Sequence, residues 1–86
     1  MDYQDKFKQV LLASPHCNLG KNGITDEFLR HVAKLLKRYK IIKIRGLKTV
    51  ATKSNIRQIA KEISELTGSR VLDVRGKMII LGKYKT

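Results

Sequence analysis

The sequence predicts an α/β domain in which three helices pack on a four-stranded mixed sheet, in the order α-β-α-β-α-β-β. Three observations predict it. The chain has 86 residues, 42% of them hydrophobic, which suits one core and leaves no room for a cleft between domains. Apolar spacing switches repeatedly between helical and alternating periods. Glycine, proline and cap residues fall at the switches. Residues 1–86 therefore read as a single compact domain, with no internal repeat, low-complexity tract or linker.

Tyr3, Phe7, Val10 and Leu11 recur at helical spacing, and that first helix should end before Ser14-Pro15, because a residue preceding proline disfavours helical geometry. His16 to Leu19 is too short for a helix and reads as a strand with Cys17 and Leu19 on one side. Gly20-Lys21-Asn22-Gly23 follows, then Thr25 as an N-cap with Asp26 and Glu27 in the first helical turn, where acids favour the helix dipole. Phe28, Leu29, Val32, Ala33, Leu35, Leu36 and Tyr39 mark one apolar face of this second helix. Arg30, Lys34, Lys37 and Arg38 fall on the opposite face.

Ile41 to Arg45 is β-branched and alternating, with Ile42 and Ile44 directed inward and Lys43 and Arg45 outward. Gly46 to Lys53 reads as a polar, basic loop. Ser54 is the expected cap of a third helix with a buried stripe of Ile56, Ile59, Ala60, Ile63 and Leu66. Gly68 stands where a left-handed terminating residue belongs. Arg70–Val74 and Met78–Lys83 are the last two strands, joined by a hairpin turn at Arg75-Gly76-Lys77.

Charge narrows the function. Nineteen Lys and Arg against seven Asp and Glu give a formal net charge of +12, which points to a polyanionic partner. The acids also avoid the middle of the chain: none occurs from Phe28 to Lys61, where eleven Lys and Arg fall. Solubility alone does not require such one-sided charge. A single cysteine excludes an internal disulfide and is compatible with a reducing cytoplasm. Tyr3 to Leu12 is too interrupted by polar residues for a signal peptide, and no apolar run approaches a membrane span. A cytoplasmic location without a membrane partner is the expectation.

The glycine loop is the main candidate site. Gly20 and Gly23 bracket a lysine and an amide, and a helix N-terminus follows at once. This order collects free backbone N–H groups and the positive helix end in one place, which suits a phosphate. One glycine would satisfy an ordinary turn, whereas two also let another backbone approach closely. The loop has neither the spacing nor the Lys-Ser/Thr pair of a P-loop, and is nearest in kind to the GxxG clamp of KH domains.

Catalytic chemistry is poorly represented. His16 and Cys17 are adjacent, so on a strand they point to opposite faces, and Cys17 reads as a small core residue. No Cys/His cluster has metal-ligand spacing. Asp26 and Glu27 are accounted for at the helix start, and Glu62 and Glu65 by a solvated helix face. We therefore expect no enzyme, no cofactor, no metal and no small-molecule substrate. With no Trp and few aromatics, recognition of backbone shape is expected over base stacking.

Taken together, Leu19-Gly20-Lys21-Asn22-Gly23-Ile24-Thr25, Ile42-Lys43-Ile44-Arg45, Leu66-Thr67-Gly68 and Val74-Arg75-Gly76-Lys77 resemble the CRM domain. This is the chloroplast RNA splicing and ribosome maturation family, whose free-standing members are the YhbY-like proteins. The resemblance runs from about Pro15 to Tyr84. It implies helices on a four-stranded sheet, a KH-like GxxG loop that binds RNA, and association with precursors of the large ribosomal subunit. It places RNA contact on Gly20, Lys21, Asn22 and Gly23. The charge pattern extends the expected RNA-binding surface to Arg30, Lys34, Lys37, Arg38, Lys43 and Arg45. The alternatives from the residues are an Alba-like general nucleic-acid protein and a ribonucleoprotein adaptor. The expected partner is structured RNA, in ribosomal RNA or a pre-ribosomal particle.

Overall fold

The computed structural model describes residues 3–47 and 55–83. Its elements follow the expected order: α1 (Tyr3–Leu12), β1 (Cys17–Leu19), α2 (Asp26–Tyr39), β2 (Ile41–Gly46), α3 (Ile56–Thr67), β3 (Ser69–Arg75) and β4 (Met78–Lys83). Sheet order is β1-β2-β4-β3. β1 and β2 run parallel because α2 carries the chain back between them, while β4 is antiparallel to both of its neighbours. β2 and β3 are therefore parallel to each other, with β4 inserted between them. Two β-α-β units thus lie side by side, and the C-terminal ends of β1, β2 and β3 share one end of the sheet.

Both faces of the sheet are covered, unequally. α2 and α3 pack on one face, where Leu19, Val32, Leu36, Ile42, Ile44, Ala60, Ile63, Ile79 and Leu81 form the main core. α1 packs on the other, with Val10 against Ile41 and Ile80, flanked by Phe7, Leu11 and Leu72. This explains the run Ile41-Ile42 and the run Ile79-Ile80-Leu81: central strands buried on both faces lose simple alternation.

The helix ends show why the chain stops and turns where it does. Thr25 Oγ1 accepts from Phe28 N–H at 3.0 Å, as its role of N-cap requires. α3 ends at Gly68, in the left-handed region at φ +67°, whose N–H donates to Ser64 O. α2 ends differently. Lys40 takes φ +71° without being glycine, donates its N–H to Leu36 O, and turns the chain straight into β2. The expected cap Ser54 lies outside the described residues, as do residues 48–53 of the basic loop. Asn55 is the residue preceding α3.

Several side chains depart from the expected pattern. Lys43 does not point into solvent: it is half-buried under the end of α1, and its ammonium donates to Leu11 O and Ala13 O, both at 2.9 Å. The last carbonyls of a helix lack intrahelical partners, and Lys43 supplies them. Leu66 is 61% exposed, standing in the last turn of α3 and about 90° around the helix from the line of Ile56, Ala60 and Ile63. Ser64 is buried in its stead, with its hydroxyl donating to Lys61 O at 2.8 Å. Ala33 and Tyr39 are exposed on α2, where only Val32 and Leu36 are fully buried. β3 carries a bulge between Val71 and Asp73, a local feature that alternation could not reveal.

Candidate nucleic-acid interface

The glycine loop closes as a β-turn: Gly23 N–H donates to Gly20 O at 3.0 Å, with Lys21 and Asn22 at the exposed tip. Gly23 sits at φ +75°, whereas Gly20 has no positive φ. A Cβ at either position would meet no atom within 4 Å. Gly23 is thus required by backbone geometry, and Gly20 is required neither by geometry nor by packing. Its lack of a side chain leaves the outer surface of the loop open.

The turn differs in one respect from a loop of wholly free amides, since Gly23 N–H is used internally and Phe28 N–H is taken by Thr25. Among the described residues, the N–H groups of Lys21 and Asn22 make no hydrogen bond. The loop and the start of α2 border an open groove of about 550 Å³. Gly20, Lys21, Asn22 and Gly23 form one wall, and Thr25, Glu27, Phe28, His31 and Leu47 line the rest. Sequence reading did not place Phe28 or Leu47 at the site. Phe28 packs against the core as its spacing predicts and also lines the groove, and Leu47 is brought to the loop by a hydrogen bond from its N–H to Leu19 O at 3.2 Å.

A second, contiguous groove runs along α2, lined by Glu27, Arg30, His31 and Lys34. Arg30 Nε reaches Asp26 O at 3.4 Å, and Lys34 is exposed one turn further on. Lys21, Arg30 and Lys34 therefore share one continuous surface. Lys37 lies further along, beside Gly68, Ser69 and Lys83. Arg38 is folded over the Tyr39 ring at 5.3 Å, a cation–π contact. Lys43 is withdrawn to the opposite face as described. Arg45 is exposed, and it too stands on the face of α1, since it alternates with the buried Ile44.

His16 and Cys17 are structural. His16 Nδ1 accepts from the backbone N–H of Lys43 at 3.0 Å, the backbone N–H of His16 donates to Lys43 O at 2.8 Å, and the imidazole lies 4.9 Å from the ring of Tyr39. Burial lowers its pKa from the ordinary value. Burial likewise pushes the Cys17 thiol up to about 11, which leaves it protonated and unreactive at neutral pH. Among the described residues, no group of three or more His, Cys, Asp and Glu could hold a metal ion. None of the described helices is long and apolar enough to cross a membrane.

Comparison with known proteins agrees with this architecture. Residues 7–83 match the family model of the CRS1 / YhbY (CRM) domain. The solution structure of the hypothetical protein SAV1595 from Staphylococcus aureus, described as a candidate RNA-binding protein, superimposes with a TM-score of 0.77. That match covers 96% of this chain and 84% of the other at 22% sequence identity, so it speaks to the fold. A comparison with curated proteins finds no match.

Proposed function

The chain belongs to the CRS1 / YhbY (CRM) domain family, and from that premise we propose that it is an RNA-binding protein of the ribosome assembly line. In this reading it holds structured ribosomal RNA of the large subunit, in the cytoplasm, and catalyses no reaction. The observation that carries the proposal is the continuity of Lys21 and the open turn amides with Arg30 and Lys34 along α2. The description of SAV1595 as a candidate RNA-binding protein adds support.

The mechanism follows from the parts. A backbone phosphate sits against the amides of Lys21 and Asn22, near the positive end of α2. Lys21 neutralises it, and Gly20 lets the sugar-phosphate chain pass without meeting a side chain. Arg30 and Lys34 follow the backbone outward, with Lys37 extending the footprint at longer range. Glu27, an exposed residue lining both grooves, opposes phosphate there and favours an anion on the loop side. Sequencing of RNA crosslinked to the protein in cells tests the reading. Recovery concentrated in large-subunit ribosomal RNA is expected, and a spread across messenger RNA or DNA would contradict it.

A further inference from the structure

Among the described residues, no element covers half of the sheet's α1 face, and that half carries a row of side chains that the loop surface does not include. Pairing puts Asn18 opposite Arg45, Arg45 opposite Met78, and Met78 opposite Arg75. Cross-strand partners share a face, and the neighbours Ile44, Ile79 and Leu19 are all buried on the other one. Asn18, Arg45 and Arg75 are exposed, with Met78 half-buried between the two arginines. α1 ends short of this row. Its side chains cover Ile41, Ile80 and Leu72, and its last carbonyls rest on Lys43.

Two features build the row rather than leave it as loose surface charge. The bulge at Leu72 turns Asp73 onto this same face, opposite Ile80. There its Oδ2 accepts from Arg75 Nε at 2.6 Å, while the two terminal nitrogens of Arg75 make no hydrogen bond among the described residues. The row is also locked to the glycine-loop end of the sheet. Gly46 N–H donates to Lys77 O at 2.8 Å, and Leu47 N–H donates to Leu19 O. The two arginine backbones stand two strand spacings apart, about 9.5 Å, with an apolar, polarizable side chain between them.

We propose that this row is a second RNA contact, which holds a single-stranded segment of the same RNA on the face opposite α2. Arg45 and Arg75 pair with phosphates, and an unstacked base lies on Met78 and the Arg75 plane, a mode open to arginine as well as to aromatic rings. The protein end bearing the glycine loop then sits between two RNA segments, one on each face of the sheet. The proposal deepens the RNA-binding reading and rests on it, but it uses none of the loop residues.

The test uses the full-length protein carrying Arg45→Ala and Arg75→Ala together, beside a separate Lys21→Ala, Gly20→Ala variant. Each is titrated with a ribosomal RNA hairpin bearing a single-stranded tail and with the same hairpin lacking it. Both arginines are exposed, so the thermal midpoint should match the parent. For the tailed RNA, the arginine variant should bind several-fold more weakly, with a log–log salt slope flatter by roughly 1.4. It should bind the tailless hairpin as the parent does. Equal affinity and slope for the tailed RNA would overturn the second contact, as would an equal loss on both RNAs. If only the loop variant binds like the parent, the loop reading fails and the row stands. A loop variant that loses affinity beside an intact arginine variant means the reverse.

Discussion

Gly20 and Gly23 look alike in the sequence and do different work. Gly23 carries a positive φ, so Gly23→Ala should cost about 1 kcal/mol or more, read from a denaturant midpoint. Gly20→Ala should leave that midpoint unchanged, because its Cβ points into empty space, yet weaken RNA binding several-fold. A Gly20→Ala protein that binds RNA as the parent does would remove close approach from the mechanism. Lys40 presents the opposite case, a side chain held at φ +71°. Lys40→Gly should raise stability by about 1 kcal/mol, with loss of stability contradicting strain at that turn. Lys43 joins two layers, so Lys43→Met should lower stability by about 1.5 to 3 kcal/mol through its lost carbonyl contacts and leave the RNA salt slope unchanged. His16 makes stability depend on pH. Its folded pKa lies below the ordinary 6.5, so the unfolded chain takes up the proton first. Its contribution is complete above that value and is lost as pH falls through the folded pKa. Melting temperature should therefore drop on acidification from pH 7.5 to 5.5, and less so in His16→Asn.

Elements were legible where local chemistry and tertiary packing agree. α2 announced itself through Thr25, its acidic first turn and its apolar stripe, and β4 through its apolar run. α3 ended at Gly68 as its sequence says. The failures within the sheet have one cause, its second covered face. Nothing in Ile41 to Arg45 shows that α1 lies over one side of it, so Lys43 read as a surface cation although it serves as a cap. The same ambiguity hid the bulge at Leu72, which shifts register without a glycine to mark it. Within the candidate site, the loop and the α2 cations were legible because they are consecutive or at helical spacing. Leu47 was not, being joined to the loop only through β1–β2 pairing. For α2 itself, changing Arg30, Lys34 and Lys37 together to Ala should flatten the salt slope of RNA binding by up to roughly 2 to 2.7. An unchanged slope would mean that the helix face is solvated and not bound.

For the whole molecule, the net charge of +12 guarantees attraction to any polyanion at low salt, so affinity alone decides little. What separates the account from a general nucleic-acid coat is selectivity. The fold joins an open glycine turn to a cationic helix face and places few aromatics near either, which favours backbone shape over base identity. The decisive measurement is a competition titration at physiological salt, in which a labelled ribosomal RNA hairpin on the full-length protein is displaced by three unlabelled competitors. These are the same hairpin, a scrambled unfolded strand of equal length, and duplex DNA of matched length. The account predicts that the hairpin competes at least several-fold better than either of the others. Displacement by duplex DNA at equal or lower concentration would contradict it.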